Sequence, residues 1–325
     1  MSPAPALLEI EHITHYAYAS PVGLAHHRAH LRPLADAAQQ VMDFDLEVAP
    51  EPSHRRSSID SFGNPQLHFE LERSHSSLRV RSRSRVRVAP RFGALDAAAS
   101  EPWEQVADAL RYRPHRPPHP AVEFSLPSPY VPRLDVLRTL VEPLLTPGRP
   151  VAGLALALMQ HVHAEFAYDG ASTTVDTPLH TVLMQRRGVC QDFAHAMIGA
   201  LRMAGLAARY VSGYLLTHAP EDGRSLVGAD ASHAWVQVWC PGALPGFDGR
   251  DAWLDLDPTN DCVPGVGHVR LAVGRDYGDV APLRGTIRGG GTHRFQVAVR
   301  TRQLPTTFPH DEPIAESPAH EAKPR

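Results

Sequence analysis

The feature that most constrains the fold is a strict alternation of side-chain types over residues 78–88. Arginine occupies every odd position from 79 to 87. Four of the even positions are apolar, namely Leu78, Val80, Val86 and Val88. Because successive side chains of a β-strand point to opposite faces, this period of two predicts a strand with one buried face and one face covered by arginine.

Neighbouring segments repeat this alternation. Apolar residues occupy every second position at 42–48 and again at 67–71, shortly after a Gly-Asn-Pro turn at 63–65. No helical periodicity lies between these segments. Several short strands that follow one another in this way predict an antiparallel β-sandwich domain over residues 1–90.

The arginine-covered face has two interpretations. Clustered arginine is typical of an anion-binding or nucleic-acid-binding surface, whereas a solvated face pairs its arginines with acids on a neighbouring strand, such as Glu70 and Glu72. No aromatic residues are interleaved with the arginines to stack on bases. We therefore favour the solvated face and predict no nucleic-acid partner.

Charge and apolar content exclude other classes of protein. The chain has 32 basic and 35 acidic residues and a net charge of -3, so there is no general attraction to nucleic acids or membranes. No apolar run approaches the ~18 residues of a membrane span, and the start lacks the basic and long apolar parts of a signal peptide. Three cysteines do not make a disulfide framework, so we expect a cytoplasmic protein.

The rest of the chain divides by composition. Prolines crowd residues 91–150, which predicts a linker with short helices near 103–111 and 134–145. Helical periodicity at 151–167 and 178–185, followed by a long helix and strands, predicts a second domain over residues 151–302. Prolines among polar residues predict a disordered tail at 303–325. The predicted fold class is α+β, with the sandwich first and a mixed core second.

A cysteine stands at the start of the long helix. Apolar residues from Phe193 to Ala204 follow Cys190 at helical spacing, and Gly205 ends the helix. Unpaired amides and the macrodipole at a helix N-terminus stabilise an anion such as a thiolate. Gly188 lets the backbone bend and a substrate approach closely. The alternative is that Cys190 is a small buried apolar residue, as most lone cysteines are.

Two strands supply the partners that a nucleophilic thiol needs. In the strand at 231–239, His233 lies on the polar and aromatic face, whereas Cys240 continues the apolar face and is interpreted as core. In the next strand, Asp257 lies just before a proline that ends the strand, and Asp255 shares its face as an alternative carboxylate. A thiol, an imidazole and a carboxylate form a nucleophile, base and orienter set for attack on an amide or ester carbonyl.

Four ordered motifs make the sequence similar to a known family. They are Gly-Val-Cys-Gln-Asp-Phe-Ala-His at 188–195, Ala-Arg-Tyr-Val-Ser-Gly-Tyr at 208–214, Ser-His-Ala-Trp at 232–235 and Leu-Asp-Pro-Thr-Asn at 256–260. The chain resembles the bacterial transglutaminase-like superfamily over roughly residues 7–300, including the preceding sandwich domain through the segments at 13–18, 30–33 and 60–64.

The resemblance implies a papain-like α+β core with a Cys190, His233 and Asp257 triad. It implies acyl transfer or hydrolysis at amide bonds of a peptide or protein substrate, with peptidase or amidase activity favoured over crosslinking. The alternative is a non-catalytic module that binds peptides in the same groove. No cofactor or metal is expected, because no oxygen-rich loop suggests calcium and the histidines read as ordinary surface residues.

The surroundings of the triad are predicted in less detail. We expect Tyr168, Tyr214 and Trp235 to wall the substrate groove. The Cys190 amide is a natural first donor to an oxyanion, and Gln185 or Trp235 is a candidate for the second. Cys262 is interpreted as part of an exposed loop.

Overall fold

The computed structural model describes residues 4–115, 117–216, 232–244 and 252–305. Its strands in chain order are β1 (Ala6–Ala29), β2 (Gln39–Ala49), β3 (His54–Ile59), β4 (Pro65–Leu71), β5 (His75–Val88), β6 (Ala167–Tyr168), β7 (Arg187–Gly188), β8 (Ala208–Leu215), β9 (His233–Trp239), β10 (Trp253–Leu256), β11 (His268–Gly274), β12 (Leu283–Gly289) and β13 (His293–Leu304). Its helices are α1 (Trp103–Ala109), α2 (Arg138–Val141), α3 (Val151–Glu165), α4 (Leu179–Gln185), α5 (Cys190–Met203) and α6 (Tyr277–Val280). The predicted α+β class is confirmed.

The N-terminal domain is one curled antiparallel sheet of seven strands. The long strand β1 lies at its centre, with β4 and β5 along one edge and β12 and β13 along the other. The register along β5 shifts between Ala17 and Val22 of β1, where the pairing passes from one half of the sheet to the other. The predicted strands are therefore present, and they form a single hydrogen-bonded sheet.

The C-terminal strands complete this sheet, which differs from the domain division expected from the sequence. Residues 283–304 fall largely within the segment assigned to the second domain, and the last of them within the segment assigned to the tail, yet they pair with β1 from Leu7 to Ala29. The cause is the second edge of β1, whose backbone amides and carbonyls need partners. The rest of the predicted tail, residues 306–325, lies outside the described residues.

The arginine-covered face is solvated and paired with acids. Arg83 forms an ion pair with Glu47 at 3.4 Å and Arg85 forms one with Asp43 at 3.3 Å, both across to β2. Arg81 pairs with Glu11 of β1. The acids that pair with these three arginines lie on the strands that flank β5, whereas Glu70, which the sequence suggested, forms an ion pair with His26. The interpretation as a solvated face is supported by these contacts.

The second half of the chain packs a four-stranded antiparallel sheet, in the order β10-β9-β8-β11, against helices. Helix α5 is buried along almost its whole length and packs on β8 and β9, with α3 beside it. A helix that is buried all round is held rigidly. The first residue of this rigid helix is Cys190.

The proline-rich segment belongs to this hydrophobic core, although the sequence suggested a linker. Val106, Phe124, Leu137 and Leu140 are buried in the same cluster as α3 and α5. The helix expected at 134–145 is divided into α2 and flanking 3₁₀ turns, because Pro143 interrupts it. None of the helices in the described residues is long and apolar enough to cross a membrane.

The two sheets contact each other through apolar side chains. Leu8 and Ile10 of β1 pack against Val269 and Leu271 of β11 in one buried cluster. Tyr214 of β8 lies in the same cluster, and its hydroxyl bonds His12 Nδ1 at 3.0 Å. This interface holds β1 against the edge of the second sheet, where β1 reaches the site described next.

Candidate active site

Cys190 begins helix α5 at a turn that is fixed by a carboxylate. Asp192 Oδ2 accepts hydrogen bonds from the Val189 amide at 2.8 Å and from the Thr173 hydroxyl at 2.7 Å. Burial raises the pKa of Asp192, and these two hydrogen bonds oppose that rise. A Cβ on Gly188 would lie 2.5 Å from Asp192 Oδ2, so any larger residue would force the Asp192 side chain to move. The half-buried thiol of Cys190 is thus presented from an ordered helix N-terminus.

His233 lines the same cavity as this thiol and is bonded to a buried carboxylate. His233 Nε2 lies 2.8 Å from Asp257 Oδ2, and both side chains are fully buried. Within the described part of the chain, His233 Nδ1 has no hydrogen-bond partner. Since Nε2 is occupied by Asp257, Nδ1 is the ring nitrogen available to the Cys190 thiol.

The imidazole is stabilised in its charged form. Burial opposes a charge on His233, but attraction and hydrogen bonding to Asp257, helped by Cys190, outweigh burial and raise the pKa of His233 to about 10. Burial also opposes a charge on Asp257, yet His233 and His268 hold the pKa of that carboxyl far below its usual range. The pair is therefore an imidazolium and a carboxylate at neutral pH.

Two further side chains hold Asp257, and neither was predicted from the sequence. Asn260 Nδ2 donates to Asp257 Oδ2 at 2.8 Å, and His268 Nε2 lies 3.2 Å from the same oxygen. The amides of Thr259 and Asn260 donate to Oδ1 at 3.0 and 3.2 Å. The turn residues that follow Asp257 were a visible signal for the amide contacts. His268 comes from a strand that no sequence pattern marked.

The same carboxylate belongs to a group of metal-ligand types. Asp257, Cys262 and His268 place one ligand atom each within 4.8 Å of one another. Five nitrogen atoms lie within hydrogen-bond distance of the Asp257 oxygens, which is enough to occupy the roughly four lone-pair sites of a carboxylate. The geometry therefore favours a hydrogen-bonded cluster that orients Asp257 over a metal centre.

Asp255, the alternative carboxylate, has different partners. Its Oδ2 accepts a hydrogen bond from the Trp235 indole nitrogen at 3.3 Å, and its Oδ1 accepts one from the side-chain amide of Gln237. It therefore braces two side chains of β9 and is not bonded to His233. Of the two carboxylates, Asp257 is the one that the structure brings to the imidazole.

Two of the three predicted groove residues do not line the groove. Trp235 is fully buried under Phe62 and Leu34 of the N-terminal domain, and Tyr214 is fully buried between the two sheets. Only Tyr168 borders the cavity. The prediction for Tyr214 and Trp235 was wrong because the N-terminal domain covers the strand face that the alternation had assigned to a groove.

The candidates for the second oxyanion donor also change. The Trp235 indole nitrogen is already committed to Asp255. Gln185 is exposed at the end of α4 and is not among the residues that line the cavity. The backbone amide of Cys190, in the first turn of α5, remains a donor that faces the start of the helix.

The other two cysteines are poor nucleophiles. Cys240 is fully buried in the core as predicted, and burial raises the pKa of its thiol far above the usual range. Cys262 is half-buried and forms two backbone hydrogen bonds with Asp257, so it is not in an open loop. Burial and the nearby Asp257 and Asp261 raise the pKa of Cys262 to about 12.

Cys190 and His233 border a cavity of about 360 Å³. One wall comes from the second domain and includes Tyr168, Val175 and Tyr277. The facing wall comes from β1 and β13 of the N-terminal sheet. A reacting group in this cavity could meet a thiol, an imidazolium and a helix N-terminus together, which suits attack on a carbonyl carbon.

Comparisons with known proteins agree with this architecture. Residues 8–87 match the bacterial transglutaminase-like N-terminal region, and residues 138–258 match the transglutaminase-like superfamily. An uncharacterized protein of Mycobacterium tuberculosis is 37% identical over 280 residues, which is 86% of each chain. A protein-glutamine gamma-glutamyltransferase of Pseudomonas aeruginosa is 34% identical over 120 residues, or 36% of this chain and 17% of that protein. A solved structure from Cytophaga hutchinsonii, provisionally described as a cysteine protease, gives a TM-score of 0.69 at 20% identity and covers 95% of this chain and 94% of that one.

Proposed function

This chain belongs to the bacterial transglutaminase-like superfamily, and from that premise we propose that it is a thiol-dependent enzyme acting on amide bonds. Its catalytic triad would be Cys190, His233 and Asp257. The observation that carries the proposal is the position of His233, with Nε2 held by Asp257 at 2.8 Å and Nδ1 left for the thiol.

The reaction follows from the roles of these groups. In the resting site the Cys190 proton already lies on His233, so the nucleophile is a thiolate paired with the imidazolium, and it attacks the carbonyl carbon of the amide to form a C–S bond. The Cys190 amide stabilises the oxygen that becomes negative. The C–N bond then breaks, His233 gives its proton to the departing amine, and an acyl-enzyme thioester remains.

A second nucleophile releases the acyl group. His233, now neutral at Nδ1, takes a proton from water while the water oxygen attacks the carbonyl carbon of the thioester. The C–S bond then breaks, the acid is released, and the Cys190 thiolate is restored beside the imidazolium. An amine in place of water would give acyl transfer. We propose hydrolysis as the main outcome, with a peptide or protein as substrate, because water needs no acceptor site.

The second candidate is a non-catalytic module that binds peptides in the same cavity. Selective alkylation distinguishes the two. At about pH 6 a thiolate paired with His233 should react with iodoacetamide at Cys190, whereas Cys240 and Cys262 should stay unmodified as internal controls. Peptide mapping by mass spectrometry reads out all three sites.

The matched variant is His233→Gln, which keeps a polar side chain but cannot hold the proton. It should lower the alkylation rate of Cys190 at about pH 6 to that of an ordinary thiol. Equal rates in wild type and His233→Gln, or faster reaction at Cys262, would refute the triad.

A cytoplasmic location stays a prediction from the sequence, and the three cysteines are free in the structure.

A further inference from the structure

The cavity beside Cys190 has a wall made by the N-terminal sheet. Tyr16 of β1 stands directly opposite Phe295 of β13 in the strand register, and Thr14 stands opposite Val297. The rings of Tyr16 and Phe295 are 5.0 Å apart between centroids. All four residues line the cavity. Two adjacent rows of one sheet therefore present an aromatic and apolar surface towards the thiol.

Exposed apolar side chains are concentrated at this cavity. Nine large apolar side chains are exposed in the described residues, and four of them line it. These four are Tyr168, Val175, Phe295 and Val297. Phe295 is 55% exposed, although it lies on the face of β13 that is buried further along the strand. Exposed apolar residues that gather in a concave site are typical of a binding surface.

Apart from Cys190 and His233, which neutralise each other, the described residues of the cavity wall offer no charge to a charged substrate group. Among the described residues that line it there is no Asp, Glu, Lys or Arg. His12 lies in the wall, but burial lowers the pKa of His12 to about 4, so it is neutral at pH 7. The arginines of the same sheet lie on its opposite, solvated face. A charged side chain placed against these described wall residues would lose water without gaining a partner from them.

We propose that Tyr16, Phe295 and Val297 form a subsite for an uncharged, apolar side chain of aromatic size next to the scissile amide. This inference rests on the proposed function and names its substrate class. The N-terminal sheet is then part of the substrate site. The last strands, β12 and β13, complete this wall, because the end of the described chain pairs with β1 and places Phe295 beside Tyr16.

The test uses thiol-directed peptide probes. Two acyl-dipeptide chloromethyl ketones that differ only in Phe or Asp next to the reactive ketone are reacted with the wild type, with Phe295→Ala and with Met42→Ala. Met42 is a matched control, since it is exposed on β2 and does not line the cavity. Each second-order rate is divided by the iodoacetamide rate of the same protein, which removes differences in thiol reactivity.

The wild type should prefer the Phe probe by about tenfold or more, the discrimination that one apolar group in a pocket provides. Phe295→Ala should remove most of this preference, and Met42→Ala should keep it. Equal rates for the two probes, or an unchanged preference in Phe295→Ala, would overturn the subsite.

A binding measurement separates this inference from the proposed function. In the Cys190→Ala background, a fluorescent peptide containing Phe should bind about tenfold more weakly after Phe295→Ala, and its Asp analogue should bind weakly to both. If Cys190 of the wild type does not react but this difference in affinity is found, the subsite stands and the enzymatic proposal fails. If the affinities do not differ, the subsite is refuted even when Cys190 is reactive.

Discussion

Replacing Asp257 by asparagine removes one charge and leaves a side chain of the same shape. In the wild type, His233 keeps its proton until the pH rises to about 10, because Asp257 outweighs the cost of burial. In Asp257→Asn burial is no longer opposed by a carboxylate. The pKa of His233 should then fall below its ordinary value of about 6.5. The imidazolium that accompanies the thiolate would be lost as the pH rises through that lower value.

The size of the effect follows from the ionisation of the thiol. Without the imidazolium, Cys190 returns towards an ordinary thiol with a pKa of about 8.5, of which only about one in 300 is ionised at about pH 6. Because the thiolate is the reactive form, we expect turnover and the alkylation of Cys190 at about pH 6 to fall about 10²–10³-fold. The measurement is the iodoacetamide rate at Cys190 between about pH 5 and pH 10, with circular dichroism to verify folding.

The matched control is Asp255→Asn, two residues away on the same chain segment. Asp255 is as deeply buried, but it binds Trp235 and Gln237. Its substitution should lower stability and leave the pH profile of Cys190 in place. A folded Asp257→Asn protein with the wild-type profile, or loss of the profile in Asp255→Asn only, would show that our assignment of the orienting carboxylate is mistaken.

Three other predictions test the surroundings of the site. Gly188→Ala places a Cβ 2.5 Å from Asp192 Oδ2, so it should displace the start of α5 and slow the alkylation of Cys190 about 10–100-fold. A thermal melt of the same variant should show that it is still folded. Tyr214→Phe removes the buried hydrogen bond to His12 and should lower the free energy of unfolding in urea by about 1 kcal/mol. The KM for peptides should not change, and a raised KM would show that Tyr214 does contact the substrate. Burial is the main cause that lowers the pKa of three histidines: His12 to about 4, His27 to about 4 and His195 to about 3. Because the unfolded chain binds more protons on them, their contribution should lower stability by about 1.4 kcal/mol per pH unit for each histidine as the pH falls from about 6.5 towards 4. Urea unfolding at several pH values below 6.5 checks this, and a flat profile in that range would contradict it.

The site joins two parts of the chain that are far apart in sequence. The thiol and imidazole come from the second domain, while the facing wall comes from the first strand and the last. This arrangement gives the N-terminal sheet a role in recognition that its arginine-covered face did not suggest. It also means that a variant truncated before β13 would lose one edge of the sheet and Phe295 together.

Local periodicity was enough to identify the elements that carry the site. The helical spacing after Cys190 predicted α5, the alternation at 231–239 predicted a strand that carries His233, and the proline after Asp257 placed that residue at the end of another strand. These features depend on neighbouring residues only. A helix presents its first residue, and a strand alternates its faces, whatever else the chain does.

Which neighbour covers each face was decided only by the tertiary structure. Every residue of β9 is buried, so alternation separated its two faces but could not tell a groove from an interface. The N-terminal domain covers Trp235, and His12 covers Tyr214, so neither reaches the cavity. The contact of His268 with Asp257, and the pairing of β13 with β1, join residues whose sequence separation leaves no local pattern. Burial and hydrogen bonding act through space, and for that reason the walls of the site became visible only in the folded chain.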